Sequence, residues 1–221
     1  MNKYHKIQSV FKRDPATKHK TFLDEYSVPE FEYLKNNNWI WTEKVNGTNI
    51  RLIYNEGKTS IGGKSEETQT PAFLYEKLQS IIPSAESFEN VFESIECPVC
   101  LYGEGYGAKI QKGGGNYIRG GISFALFDIK IGNVWLKRKS VEDIASKFKL
   151  LTVPTIGSGT LEEAIKKTKE GFNSNWGEFL AEGMVLRPEV ELIDRMGRRI
   201  ITKLKHKDFK KETNEKERQV D

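Results

Sequence analysis

Residues 1 to 38 are polar and mixed, and end in an Asn36-Asn37-Asn38 turn. The first strong pattern follows. Trp39-Ile40-Trp41-Thr42-Glu43-Lys44 is rich in aromatic and branched residues and reads as a strand. Asn46-Gly47, both tolerant of positive φ, predicts a hairpin turn into a second strand over 48 to 54. Asn55-Glu56-Gly57 turns the chain again, and 58 to 61 returns. Lys44 is thereby expected at a strand end beside a tight turn.

After Pro71, apolar residues at Phe73, Leu74, Leu78, Ile81 and Ile82 have helical spacing. Residues 85 to 96 are also helix-like, with Ser84 as the cap. Strands are expected over 99 to 106 and 122 to 131, separated by a glycine-rich loop. Gly132-Asn133 turns the second of them toward Val134-Trp135-Leu136. Helices follow over 140 to 148 and 160 to 172. The latter opens with the capping pair Thr160 and Glu163. Strands at 184 to 187 and 199 to 205 precede a charged, non-amphipathic tail from 207. Helices and strands intersperse without regular βαβ alternation, so the expected class is α+β with mainly antiparallel sheets.

Composition narrows the class. A chain of 221 residues, 37% hydrophobic and 30% charged, suits one large soluble domain. No run approaches the roughly 20 apolar residues that span a bilayer. The N-terminus lacks an apolar signal core, so an intracellular protein is expected. The net charge of +4 is too small to argue for nucleic-acid binding by itself, so the local clustering of Lys and Arg matters more. Cys97 and Cys100 form a CxxC pair with no second pair to complete a zinc site, and the three histidines are scattered. They read as reduced thiols entering a strand.

Five short motifs stand in order: Glu43-Lys44-Val45-Asn46-Gly47-Thr48-Asn49, Leu101-Tyr102-Gly103-Glu104-Gly105, Phe124-Ala125-Leu126-Phe127-Asp128-Ile129, Ala181-Glu182-Gly183-Met184-Val185-Leu186-Arg187, and Ile201-Thr202-Lys203-Leu204-Lys205. Each alone is weak. Together they resemble motifs I, III, IIIa, IV and V of the covalent nucleotidyltransferases, which comprise DNA ligases, RNA ligases and mRNA capping enzymes. The Lys-x-x-Gly-Thr-Asn form is most similar to the RNA ligase 2 family. The resemblance implies a nucleotidyltransferase, ATP-grasp-like fold over 1 to 209, followed by a charged tail over 210 to 221.

The resemblance also implies a chemistry. Lys44 would attack ATP and carry AMP, splitting one hard transfer into easier ones. A lysine with a pKa of about 10.4 is almost wholly protonated at pH 7, and neighbouring positive charge favours the free amine. Strand alternation would point Lys203 and Lys205 to one face, where they would supply that charge and neutralise the α-phosphate. By the same resemblance Glu104 binds the ribose or assists the metal, and Phe127 stacks on adenine, with Phe124 as the alternative. Glu182 lies near the phosphates and a Mg²⁺ or Mn²⁺ ion, for which one carboxylate is enough. Glu43 and Asn49 are expected to line the same pocket, and Lys64 to contact phosphate without an arginine's bidentate fork.

Two departures stand out. Relatives carry Asp or His two residues after the nucleophile, where this chain has Asn46, which cannot act as a base near neutral pH. The chain also ends about 16 residues after the last motif, which suggests a minimal nucleotidyltransferase domain without a C-terminal partner domain. Nucleic-acid contacts are then expected from the core. The candidates are the loop bearing Lys109, Lys112 and Arg119 around Gly113-Gly114-Gly115, the tail, and the Arg195, Arg198 and Arg199 cluster. The expected function is ATP-dependent ligation of RNA, with nicked duplex or DNA ends also in view. The alternatives are a DNA ligase, a GTP-using capping enzyme and a catalytically silent binding module.

Overall fold

The alternation around Trp39 and Leu101 resolves into two separate sheets. The computed structural model describes residues 3–19, 21–65, 70–93 and 96–209. In chain order the strands are β1 (Gln8–Ser9), β2 (Phe11–Arg13), β3 (Phe22–Tyr26), β4 (Trp39–Glu43), β5 (Thr48–Asn55), β6 (Lys58–Gly62), β7 (Val99–Gly107), β8 (Ile122–Ile131), β9 (Val134–Trp135), β10 (Leu151–Thr152), β11 (Thr155–Gly159), β12 (Gly183–Pro188) and β13 (Thr202–Lys205). The helices are α1 (Pro29–Tyr33), α2 (Ala72–Gln79), α3 (Ala85–Phe92), α4 (Arg138–Lys147) and α5 (Leu161–Glu170). The chain divides into two compact units. One runs from Val45 to Val153 and includes the N-terminal residues up to His5; the other joins Lys6–Lys44 to the chain from Pro154 onward. The expected tail over 210 to 221 lies outside the described residues.

In the first unit the sheet order is β10-β8-β7-β5-β6, with β9 on β8, and all pairs are antiparallel except β10 with β8. The turn expected at Asn55-Glu56-Gly57 joins β5 to β6, with positive φ at both Glu56 and Gly57. One sheet face carries Ile50, Leu52, Val99, Leu101, Phe124, Leu126 and Ile129, packed under Leu74 and Leu78 of α2, Phe88 of α3 and Val141 of α4. Ser84 caps α3 by accepting from the Ser87 N–H.

A bulge interrupts β8. Leu126 pairs with Gly103 and Asp128 with Tyr102, which leaves Phe127 as the extra residue. Before the bulge Phe124 and Leu126 enter the core; after it Ile129 does. Phe127 and Asp128 therefore share the opposite face, where Tyr4 touches both.

The second unit has the order β1-β13-β12-β4-β11, with β2 and β3 paired apart. Trp39, Trp41, Met184, Leu186 and Leu204 face a core closed by Phe31 of α1 and by Leu161 and Ala164 of α5. The capping pair of α5 forms both of its reciprocal hydrogen bonds.

Several expectations are corrected. Asn46-Gly47 is not a hairpin, because β4 pairs with β11 and β12 while β5 pairs with β6 and β7. Neither residue has a positive φ. Gly47 is required for a different reason: a Cβ there would sit 2.2 Å from the Gly105 carbonyl oxygen. Residues 1 to 38, read as patternless, contribute three short strands and a helix. β10 and β11 were also not predicted; at two and five residues they carry little alternation. The α+β class with mainly antiparallel sheets is the observed one.

Candidate active site

In the second unit, Lys44 follows β4 and its N–H donates to the Gly183 carbonyl. That bond fixes its backbone beside Glu182. Lys44 Nζ donates to Glu182 Oε2 at 2.7 Å, and Lys205 Nζ lies 2.8 Å from Glu182 Oε1. All three side chains are largely withdrawn from solvent. Register explains the meeting: β12 lies between β4 and β13, with Gly183 opposite Lys205 and Val185 opposite both Thr42 and Lys203. Strand alternation then places Lys44, Lys203 and Lys205 on the face away from the Trp39 and Trp41 core.

The electrostatics follow. Burial favours the neutral form of Glu182, but the charges and hydrogen bonds of Lys44 and Lys205 outweigh it and hold the pKa below the usual carboxylate range. Burial also depresses the pKa of Lys203, and the charges of Lys205, Lys44, Arg13 and Lys6 push it the same way. Arg13 and Lys6 went unnoticed in the sequence, since both come from the N-terminal stretch that shows no pattern. Arg13 is fixed by an ion pair to Asp208 at 2.6 Å.

Glu43 does not join this group. It shares the core parity of Trp39 and Trp41, is buried, and accepts from Ser174 Oγ at 2.6 Å and from the Asn175 N–H at 2.8 Å. Burial raises its pKa, opposed by those two hydrogen bonds. Its place is a buried tie to the segment after α5, not the face that bears Lys44. No local pattern marked Ser174 as its partner.

In the first unit, the sheet face opposite the core brings other candidates together. Asn49 pairs across with Glu104, and Glu104 with Ala125, so the three positions form one row across β5, β7 and β8. Asn49 Oδ1 is buried and has no hydrogen-bond partner among the described residues, an arrangement that suits a bound donor. The bulge sets the half-buried Phe127 on this same face, whereas Phe124 is buried in the core against Gly103. Tyr4 donates to Asp128 Oδ2 at 2.6 Å and meets the Phe127 ring edge-on, with centroids 5.0 Å apart. Lys64 is exposed just past β6. Arg51, buried, donates to the carbonyl of Gly63 immediately before it. Cys97 is exposed and Cys100 buried, and burial pushes the Cys100 thiol up to about 11.

Residues 37–205 match the family model described as RNA ligase. No curated protein is significantly similar. Among solved structures, a mutant RNA ligase of Naegleria gruberi with AMP and Mn superposes with a TM-score of 0.64 at 16% identity, over 93% of this chain and 56% of that one. A mutant of the same ligase with ATP and Mn gives 0.63 at 16% identity, over 91% and 55%. The ligase with PPi gives 0.61 at 16% identity, over 93% and 58%. This likeness is one of fold, and the chain spans a little over half the length of those structures.

Proposed function

Because this chain belongs to the RNA ligase family, we propose that it is an ATP-dependent ligase that joins RNA ends through AMP carried covalently on Lys44. The observation that carries this reading is the shared carboxylate: Lys44 and Lys205 hold the two oxygens of Glu182, with Lys203 on the same face. A lysine aimed by a fixed acid, among further cations, suits attack on a phosphate. The Lys44 amine, freed of a proton, attacks the α-phosphorus of ATP. An N–P bond forms as the bond to the bridging oxygen breaks, and pyrophosphate leaves with the electron pair. Lys203 and Lys205 offset charge on the α-phosphate. AMP next passes to a 5′-phosphate end. A 3′-hydroxyl then attacks that end and expels AMP.

Phe127 is assigned to the adenine, Glu104 and Asn49 to the ribose side, and Lys64 to phosphate. The solved Naegleria structures with ATP, AMP and Mn support ATP with Mg²⁺ or Mn²⁺ as the cofactors. Glu182 fits such an ion, which prefers oxygen and keeps several waters. The described residues contain no group of three or more acids, histidines or cysteines able to hold a metal unaided. Substrate phosphates and waters would complete its ligands, and the ion would neutralise phosphate charge.

Intact-mass measurement after exposure to ATP and Mg²⁺ tests the reading. One added AMP is expected on the wild type and none on Lys44→Ala. Label retained from GTP alone would replace ligation by capping, and no adduct under any divalent ion would leave a binding module. Joining of nicked duplexes with RNA or DNA ends then fixes the strand preference.

A further inference from the structure

Deepening that ligase reading, we propose that the loop over 108–121 is the element that grips the polynucleotide strand, binding its phosphates through Lys109, Lys112 and Arg119. The loop is closed at its base by the Ala108 N–H donating to the Gly121 carbonyl, and internally by bonds from Gly114 to Gln111 and from Tyr117 to Gly114. Such closed loops are ordered and frequently functional. Its apolar residues turn inward: Ile110 packs on the core and Tyr117 is buried against Tyr106. Gly114 lies so close to Gly107 that a Cβ would fall 2.0 Å from its carbonyl oxygen. What remains outside is charge. Lys109, Lys112 and Arg119 are all exposed, and no acidic residue occurs between Glu104 and Asp128.

Charge balance separates this loop from Arg198 and Arg199 of the arginine cluster. Among the described residues none of its three cations has an ion-pair partner. Some exposed cations elsewhere are paired, as Lys12 is with Glu25 and Lys147 with Asp143. In the arginine cluster, Arg198 is held by Asp194 and Arg199 by Glu191. The loop thus presents uncompensated positive charge, which is what phosphate binding needs.

The loop is also fastened to the segment that follows Lys44 in the chain. The Asn46 N–H donates to Tyr117 Oη at 3.0 Å, Asn46 Nδ2 to the Lys112 carbonyl at 3.3 Å, and Gln111 Nε2 to the Gly47 carbonyl at 3.4 Å. The Asn46 side chain acts here as a donor, a role an aspartate at this position would lack. A strand held by Lys112 is therefore held one hydrogen bond from the residue two places after Lys44.

The experiment measures binding of a short, 5′-phosphorylated single-stranded RNA as a function of salt, for the wild type and for Lys109→Ala/Lys112→Ala/Arg119→Ala. The triple variant is expected to lose at least about tenfold in affinity and to lower the salt slope by about 2, as three lost phosphate contacts require. Equal affinity and slope in the two proteins, or no RNA binding by the wild type, overturns the proposal. Lys109→Arg/Lys112→Arg should bind like the wild type; its failure to do so also counts against a role in charge. If the triple variant has a lowered unfolding midpoint, Lys112→Gln replaces it, with a slope change of about 0.7 expected. Binding needs no catalysis. A wild type that takes no AMP yet binds RNA through this loop removes the ligase reading and keeps this one; one that takes AMP but binds RNA without the loop does the reverse.

Discussion

Lys44 and Lys205 grip opposite oxygens of Glu182, although one follows β4 and the other ends β13, the two strands that flank β12. An acid in that position fixes where both amines point. Glu182→Gln leaves two ammonium groups on a neutral amide. Formation of the AMP adduct is expected to slow by about 10²-fold or more, in line with the loss of a preorganised electrostatic contact. The folded state should lose about 1–2 kcal/mol, between the limits for exposed and buried pairs. Single-turnover adenylation and urea unfolding measure the two effects. An unchanged adenylation rate would remove Glu182 from the chemistry.

Glu43 and Glu182 predict opposite responses to pH. The depressed pKa of Glu182 means that the folded state favours its ionised form, so its stabilisation is present above the ordinary carboxylate pKa and fades as pH falls through the folded value. The raised pKa of Glu43 has the reverse sign: the folded state favours the protonated form, and that stabilisation fades as pH rises through the folded value. The stability of Glu43→Gln relative to the wild type should therefore rise as pH climbs through and above the ordinary carboxylate range, while that of Glu182→Gln should fall as pH climbs from below that range up to it. Urea melts across that range decide it, and a flat difference for either variant contradicts the assignment.

Gly47 and Gly57 test close approach against backbone freedom. Gly47→Ala must displace the Gly105 carbonyl, and a loss of about 1–3 kcal/mol is expected from the overpacking. Gly57→Ala meets no atom within 4 Å, but its φ is +72°, so about 1 kcal/mol is expected from backbone strain. Thermal unfolding ranks the two. Because Gly47 lies three residues after Lys44, only its variant should also slow adenylation.

Phe124 and Phe127 separate core from platform. Phe124→Ala should lose about 3–5 kcal/mol of stability, as a buried aromatic does. Phe127→Ala should lose much less, but weaken ATP use by up to about tenfold, the value of one lost ring contact. Phe127→Trp should restore ATP use if stacking is the cause. An ATP dependence that ignores residue 127 would end that role.

The sequence made much of this visible where local rules decide. The limits of β8, the Ser84 cap and the Thr160–Glu163 pair follow from patterns a few residues long. The shared face of Lys203 and Lys205 follows from strand alternation, and their meeting with Lys44 was anticipated only because the motifs stand in a known order. Long-range choices were hidden. Asn46-Gly47 has hairpin chemistry, yet β4 and β5 find partners in different sheets, and nothing local records that preference. Glu43 sits next to Lys44 in sequence and so looked like a pocket residue, but adjacent strand positions face opposite ways and Ser174 claims its carboxylate. Tyr117 and Arg13 reach their partners over separations that no pattern encodes.

The one-residue excess in β8 makes this strand tolerant of a one-residue loss in a way that unbulged β5 is not. Removing Phe127 would restore an unbroken ladder, with Asp128 still opposite Tyr102 and Ile129 still inward, whereas one residue fewer in the unbulged β5 would invert every later position. Deletion at the bulge thus removes the outer ring of Phe127 and leaves the register in place. Any alignment of this strand with a distant cousin must carry the additional residue, or it will equate inward positions with outward ones.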